Sequence, residues 1–175
     1  MQHQIAKPFT IDKHVIMAAW KRVRENKGSA GIDNVSISDY ETNLGTHLYK
    51  LWNRMSSGSY FPNAVKLVEI PKSSGGTRPL GIPTVGDRIA QMAVVLLIEA
   101  RLEEIFHPNS YGYRPNRSAH DAIGQARERC WRYNWVLDMD ISKFFDTIDH
   151  DLLMKAVERH VQERWILLYI RRWLN

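Results

Sequence analysis

The sequence contains little cysteine and no long apolar run, and both shortages exclude classes of protein. One cysteine, Cys130, occurs among 175 residues, which excludes an internal disulfide framework and a zinc site built from several cysteines. The longest apolar run, MAVVLLI at residues 92–98, is far too short to span a bilayer. The amino-terminal stretch MQHQIAKPFT has no apolar signal core, so we expect a cytoplasmic protein.

The residues that are present fit one globular domain. Hydrophobic residues make up 44% of the chain, which is enough for a core. The net charge of +5 is a modest excess, and it fits a polyanionic partner. The chain stops within the apolar-periodic stretch RWILLYIRRWLN, where no Gly or Pro marks a helix end. This pattern predicts a fragment of a longer protein.

Hydrophobic periodicity predicts a chain of helices interrupted by a hairpin and a strand. The first helix is predicted at 12–26, capped by Asp12 and ended by Gly28. Its apolar face is formed by Ile16, Ala19, Trp20 and Val23. Further helices are predicted at 38–56, from Asp87 to about Phe106, after Ser118, at 149–160 and at 163–174.

Two stretches have the character of strands. Residues 64–70 and the following PKSSGGTRPLGIP predict a hairpin, and NWVLDMDI at 134–141 predicts another strand. The pair Ser118 and Asp121 predicts a capping box. The helix after it is expected to bury Ala122, Ile123, Ala126 and Cys130. The order of elements predicts an α+β fold or part of a split βαβ arrangement.

The stretch WVLDMDISKFFDTIDHD, residues 135–151, combines the apolar content of a buried strand with five aspartates. Burying a carboxylate is costly unless it is paired, hydrogen-bonded or bound to a metal. Asp138 and Asp140 share one face of a strand, and Asp140 at its carboxyl end suits a hard cation such as Mg²⁺. A helix cap, a surface ion pair or a solvated edge is the alternative. Asp149 and Asp151 are predicted to cap and begin a helix.

The predicted hairpin carries two cations beside its turn. Lys72 and Arg78 flank the SSGG sequence, so they can converge on one polyanion, Arg as a bidentate fork and Lys as a point charge. The Gly pair lets the backbone approach a ligand closely. An exposed basic turn without a ligand is the alternative.

Four blocks of sequence occur in a fixed order: KGSAGIDNVSI, IPKSSGGTRPLGIPTVGDRIAQ, SYGYRPNRSAHDAI and VLDMDISKFFDTIDHDLL. Together they resemble the reverse transcriptases encoded by bacterial group II introns, also called maturases, from about residue 12 to the end. The resemblance implies the fingers and the first part of the palm of an RNA-directed DNA polymerase, truncated before the second catalytic motif. CRISPR-associated reverse transcriptases are relatives that one domain does not separate.

The resemblance implies a role for residues of the acidic stretch. Asp140 matches the catalytic aspartate that holds both Mg²⁺ ions, with Mn²⁺ as an alternative, and Ile141 would lend a backbone carbonyl. In the family an aromatic gate follows the catalytic aspartate by five residues. Counted from Asp140 this gate is Phe145, whereas Asp138 does not fit the spacing.

The resemblance also implies contacts with nucleotide and RNA. Lys72 and Arg78 match residues of the fingers that hold the incoming triphosphate. The basic and aromatic loop SYGYRPNR is expected to lie against template or nucleotide, through Arg114 and Arg117. Other basic candidates for RNA contact lie near the end of the first helix: Lys21, Arg22, Arg24 and Lys27. The implied partners are intron RNA or another structured RNA template, a DNA primer and dNTP.

The sequence also departs from the family. The second carboxylate pair of the family lies in a Tyr-x-Asp-Asp turn, and no such sequence occurs in these 175 residues. Two-metal nucleotidyl transfer needs more than one carboxylate, so we expect the chain by itself not to polymerise. A non-catalytic RNA-binding maturase module is the rival hypothesis, and D-x-D glycosyltransferases share the short acidic motif.

Two expectations concern organisation. We divide the chain into an N-terminal extension at 1–37, fingers and adjoining helices at 38–132, and a partial palm at 133–175. The last helix is expected to expose an apolar face that promotes self-association. That face would include Ile166, Ile170 and Trp173.

Overall fold

The computed structural model describes residues 7–73 and 75–175. These residues form helices around one small antiparallel sheet, in agreement with the predicted α+β class. In chain order the elements are α1 (Lys13–Asn26), α2 (Ile37–Thr42), α3 (Leu44–Ser56), β1 (Lys66–Pro71), β2 (Thr77–Ile82), α4 (Val85–Glu103), α5 (Ala119–Cys130), α6 (Phe144–Thr147), α7 (His150–His160) and α8 (Arg164–Leu174). Within the described ranges, every helix is too short or too polar to cross a membrane.

The core lies where α1, α3, α4 and α8 meet. The predicted apolar face of α1 is buried, which confirms it: Ile16, Ala19, Trp20 and Val23. Opposite this face α4 buries Val85, Ile89, Ala90, Ala93 and Val94. Because α4 is enclosed mainly along its first half, Val95 and Leu97 remain exposed.

Local hydrogen bonds set the ends of α1. The Asp12 carboxylate accepts the backbone N–H of His14 at 2.8 Å, so the predicted cap is confirmed. At the other end Lys27 and Gly28 both have positive φ, 57° and 113°. A side chain at Gly28 would also come within 2.6 Å of Arg88 Nη1. Glycine is therefore needed here for backbone conformation and for space.

The helix predicted at 38–56 is wrong as a single element, because it breaks at Asn43. Asn43 and Gly45 are poor helix formers, and Asn43 has φ −123° and ψ 39°. Ser36 begins α2 with a capping box, in which Asp39 accepts the Ser36 N–H at 3.0 Å. The chain continues as α3 with a ring nitrogen of His47 3.1 Å from the carbonyl oxygen of Tyr40.

The expectation that the final helix, α8, exposes an apolar face is wrong. Ile166 is fully buried, and the Tyr169 hydroxyl donates to the carbonyl of Met55 at 2.5 Å. Trp173 packs against the core, and its indole N–H donates to the Tyr60 hydroxyl at 3.3 Å; Ile170 packs there too. The predicted self-association thereby loses the surface on which it was based.

Two further predictions fail between α4 and α7. The α5 helix begins with the predicted Ser118–Asp121 capping box, yet it buries none of its residues and Ile123 is 65% exposed. Residues 134–141 form no strand, and their apolar side chains are exposed. A strand needs a neighbour for its backbone hydrogen bonds. In the described part of the chain, the strands that pair are β1 and β2, and they pair with each other.

The helices predicted at 149–160 and 163–174 are confirmed as α7 and α8. Asp149 caps α7 by accepting the N–H of Leu152 at 2.9 Å, and Asp151 lies in its first turn. Both aspartates therefore have the local roles that the sequence predicts.

Candidate catalytic segment and nucleotide hairpin

Asp138, Asp140 and Ile141 lie on an irregular segment that precedes α6. All three residues are exposed to solvent. Carboxylate and carbonyl oxygens are the donors that Mg²⁺ prefers. The described residues contain no group of three or more His, Cys, Asp or Glu that could hold a metal ion. The donor type thus fits Mg²⁺, while this part of the chain offers only an incomplete ligand set.

A tight turn after Ile141 determines where the two phenylalanines lie. Lys143 adopts a left-handed conformation with φ 51°, and its carbonyl accepts the N–H groups of Asp146 at 2.9 Å and Thr147 at 3.0 Å. The rings of Phe144 and Phe145 meet edge to face with centroids 5.4 Å apart. Phe145 is 82% exposed and Phe144 is 44% exposed. Of the two rings, Phe145 is the freer to meet a ligand.

The hairpin presents both predicted cations to solvent. Its strands pair antiparallel from Lys66 opposite Ile82 to Pro71 opposite Thr77. At the turn the Lys72 N–H donates to the Gly76 carbonyl at 3.0 Å, and Gly76 has φ 79°. Ser74 lies outside the described residues.

Lys72 lies directly after β1, and Arg78 lies on β2 opposite Ile70. Both side chains are exposed. Within residues 7–73 and 75–175, neither forms a salt bridge. Two cations beside one turn, without a carboxylate to neutralise them, can bind an anionic ligand.

The loop after α4 uses its two arginines differently. Arg114 is 7% exposed, and its guanidinium makes a paired contact with Glu103, Nε to Oε1 at 3.1 Å and Nη2 to Oε2 at 2.9 Å. Its Nη1 donates to the carbonyls of His107 and Ser110 at 2.9 and 2.8 Å. Arg114 therefore closes the loop upon itself. Arg117 remains exposed, with its guanidinium 5.5 Å from the centre of the Tyr111 ring.

The basic residues near the end of α1 are also exposed. Arg24 pairs with Glu41 at 3.2 Å. The Lys27 backbone carbonyl accepts a hydrogen bond from Arg88 Nη1 at 3.2 Å, while the Lys27 side chain faces solvent. Lys21, Arg22, Lys27 and Arg117 are the basic candidates that are exposed and form no salt bridge within the described residues.

Residues 70–175 match the family model described as reverse transcriptase (RNA-dependent DNA polymerase). The matched range contains the hairpin cations and the segment around Asp140. The chain belongs to the reverse transcriptase family. The family resemblance drawn from the four sequence blocks is confirmed.

Similar proteins place the chain beside intron-encoded reverse transcriptases. Protein YkfC of Escherichia coli (strain K12) is 41% identical over 138 residues, covering 76% of this chain and 36% of that protein. The group II intron-encoded protein LtrA of Lactococcus lactis subsp. cremoris is 29% identical over 170 residues, covering 95% and 28%. The putative COX1/OXI3 intron 1 protein of Saccharomyces cerevisiae is 28% identical over 161 residues, covering 92% and 19%. The chain thus spans little more than a third of these proteins at most.

Sequence reasoning missed a buried polar network at the start of α4. The Asp87 carboxylate accepts the hydroxyl of Tyr60 at 2.7 Å, that of Thr84 at 2.7 Å, and the backbone and side-chain N–H groups of Asn63, each at 3.2 Å. Burial and the hydrogen bond to Asp87 raise the pKa of Tyr60. The pattern Thr84-x-x-Asp87 is that of a capping box with Asp in place of Glu, so the sequence contained a signal for this network.

Arg88 links α4 to the Gly-rich block KGSAGIDNVSI by hydrogen bonds. Its Nη1 and Nη2 donate to the carbonyls of Lys27 and Ser29, the second at 2.8 Å. A side chain at Gly31 would come within 2.7 Å of the Thr84 backbone. The loop from 27 to 31 is thereby held against the start of α4.

Proposed function

We propose that this chain is part of an RNA-directed DNA polymerase of the group II intron type, and that nucleotidyl transfer takes place at Asp140. The observation that carries the proposal is the family match at 70–175, together with the exposure of each residue assigned to the reaction. Those residues are Lys72, Arg78, Asp140, Ile141 and Phe145. The division at 37/38 and 132/133 into extension, fingers and partial palm belongs to the same proposal.

Asp140 would supply a carboxylate and Ile141 a backbone carbonyl to Mg²⁺, or to Mn²⁺ in its place. Metal ions in such a site stabilise charge on the attacking and leaving oxygens of the phosphoryl group. The remaining ligands must come from residues outside this set, and in the family they lie in a Tyr-x-Asp-Asp turn. The 175 residues contain no such turn, so the chain alone is expected not to extend a primer.

The hairpin and the aromatic ring act on the incoming nucleotide. Lys72 and Arg78 bind the triphosphate through charge-assisted hydrogen bonds, which are stronger than those between neutral groups. Phe145, the more exposed ring of the pair, collides with the 2′-OH of a ribonucleotide and thereby favours dNTP. These roles need the hairpin to close towards the segment that contains Asp140.

Intron RNA, or another structured RNA, is the proposed template, paired with a DNA primer. Lys27 and Arg117 contribute phosphate contacts, because their side chains are accessible. Arg114 is not proposed as an RNA contact, because its guanidinium already binds Glu103 and two backbone carbonyls. Binding through phosphates weakens with salt, and log affinity falls linearly with log salt concentration.

Primer extension tests the proposal in a longer protein that contains these 175 residues together with a Tyr-x-Asp-Asp turn. Asp140→Asn removes the metal-binding charge, so extension should fall to background while the melting curve stays unchanged, because the side chain is exposed. Asp138→Asn is the matched control and should have a milder effect. Normal extension by the Asp140 variant, or a dead Asp138 variant beside it, would contradict the assignment. RNA binding without any extension by the longer protein would favour the non-catalytic maturase module.

A further inference from the structure

A cleft with both polar and apolar lining residues opens between α2, α3 and the first turn of α4, and it contains none of the residues assigned above to catalysis. Its volume is about 240 Å³. The residues on which the following argument rests line it: Asp33, Tyr40, His47, Lys50, Arg54 and Gly86. They come from four separate parts of the chain, so the cleft exists only in the folded protein.

The Tyr40 ring is buried, but its hydroxyl is not fully enclosed. Tyr40 is 8% exposed, and its ring packs against Trp20 and His47 with centroids 5.6 and 4.5 Å away. Among residues 7–73 and 75–175, no group forms a hydrogen bond with its hydroxyl. The fully enclosed unpaired side-chain atoms of this part are Ser56 Oγ and Arg88 Nε, and the Tyr40 hydroxyl is not one of them. Because Tyr40 lines the cleft, a ligand there can reach the hydroxyl.

One wall of the cleft is cationic. Lys50 and Arg54 lie four residues apart on α3, where neighbouring like charges repel each other. Neither side chain forms a salt bridge within the described ranges. His47 lies on the same side of the helix, three residues before Lys50. An anion between Lys50 and Arg54 would relieve their repulsion.

The start of α4 also lines the cleft, through Thr84, Gly86 and Asp87. A Cβ at Gly86 would find its nearest neighbours, Thr84 Oγ1 and the Tyr40 hydroxyl, only at 3.9 Å. Backbone N–H groups in the first turn of a helix as long as α4, Val85–Glu103, favour an anion. The Asp87 carboxylate also lines the cleft and is held in place by hydrogen bonds from Tyr60, Asn63 and Thr84, so an anion binds only where Lys50 and Arg54 outweigh its repulsion.

Asp33 indicates what else the ligand must carry. The Asp33 carboxylate is exposed, and one of its oxygens accepts the Val35 N–H at 3.2 Å. The other oxygen can accept from a hydroxyl or amino group in the cleft. A bare phosphate ion offers little for such an acceptor, whereas a sugar or a base offers several donors.

We infer that this cleft binds one nucleoside phosphate, with its phosphate at Lys50, Arg54 and the Tyr40 hydroxyl and its sugar or base donors at Asp33. The nucleotide is either free or part of an RNA strand. This second nucleotide site goes beyond the proposed polymerase chemistry and does not depend on it.

The test titrates the ¹⁵N-labelled 175-residue chain with AMP, with inorganic phosphate and with a short single-stranded oligoribonucleotide. Shifts of the Gly86 and Asn63 amide resonances report binding in the cleft rather than at the hairpin. We expect AMP to shift both, and inorganic phosphate to bind at least about tenfold more weakly, because it leaves Asp33 unused. An oligoribonucleotide that binds more tightly than AMP assigns the nucleotide to an RNA strand, and a preference for AMP assigns it to a free nucleotide; both support the site.

Variants separate the site from general charge effects. Tyr40→Phe should weaken AMP binding about three- to tenfold at an unchanged melting temperature, because the hydroxyl has no partner within the described protein. Lys50→Gln with Arg54→Gln should weaken it by about tenfold or more. Lys155→Gln with Arg159→Gln, which removes the same two positive charges four residues apart on α7 outside the cleft, should have no effect. Wild-type affinity in Tyr40→Phe, equal affinity for phosphate and AMP, or no Gly86 shift at millimolar AMP would overturn the inference.

Discussion

The helical core and the segment from α5 to α6 contain similar apolar side chains in opposite environments. Ile89 and Ile166 are fully buried, whereas Ile123 is 65% and Leu137 79% exposed. The core helices α1 and α4 lie against each other along their apolar faces. Residues 134–141 have no neighbouring strand within the described part of the chain. An apolar side chain is therefore buried only where another element of the fold packs against it.

The core and the exposed segment also differ in the property that a substitution should change, which is stability in the core and activity in the segment. The polar network of Asp87 lies in the core, and the cleft lies beside it. Several elements of the fold contribute residues to both. The predicted catalytic carboxylate, Asp140, lies on the exposed segment. A substitution in the core should therefore change the free energy of unfolding, whereas one in the segment should change only activity in a complete polymerase.

The strongest test of this contrast compares two truncations of similar size. Ile166→Ala in the core should lower the free energy of unfolding by about 2–5 kcal/mol, because it leaves a cavity. Leu137→Ala on the exposed segment should change it by less than about 0.5 kcal/mol. Urea denaturation of the 175-residue chain measures both. A loss at Leu137 comparable to that at Ile166 would show that the segment is packed in solution.

A second test replaces a buried and an exposed aspartate by the same residue. Asp87→Ala should cost about 2–3 kcal/mol, because it leaves the buried hydroxyls of Tyr60 and Thr84 without their acceptor. Asp138→Ala, at an exposed position, should cost less than about 0.5 kcal/mol. Thermal and urea unfolding give both values. Equal losses would mean that the network contributes no more than a surface carboxylate.

The third test concerns the hairpin cations, whose substitution should change nucleotide binding but not stability. In a longer, polymerase-active protein, Lys72→Ala and Arg78→Ala should each raise the KM for dNTP about ten- to a hundredfold, since each removes a charge-assisted hydrogen bond of roughly 1.5–3 kcal/mol. Their melting temperatures should match the wild type because both side chains are exposed. Steady-state primer extension measures KM. An unchanged KM with a large loss of RNA affinity would place the hairpin on the template instead.

The smallest expected effect on stability concerns the two rings of α6. Phe145→Ala, the more exposed ring, should change unfolding by less than about 0.5 kcal/mol yet admit ribonucleotides more readily in the longer protein. Phe144→Ala is the control and should retain sugar selection. Extension with dNTP and rNTP in parallel measures the preference. Relaxed selection by the Phe144 variant alone would exchange the roles of the two rings.

The helix caps, the apolar face of α1 and the family of the chain could be predicted from the sequence. Caps such as Asp12, Asp149 and the Ser118–Asp121 pair depend on hydrogen bonds between residues two or three apart, so a short stretch suffices to predict them. Helical periodicity likewise placed the apolar face of α1, because it depends only on neighbours along one element. The blocks around the hairpin and Asp140 were enough for membership of the reverse transcriptase family.

Which apolar side chains are buried could not be predicted from the sequence, because burial depends on the tertiary structure. Ile166 is buried in the helical core rather than exposed, whereas Ile123 and residues 134–141 remain exposed. The tertiary structure also used Arg114 to close a loop and gathered Tyr40, Lys50 and Gly86 around one cleft. These outcomes depend on contacts between residues far apart in sequence, whose positions follow from how the elements pack rather than from any local pattern.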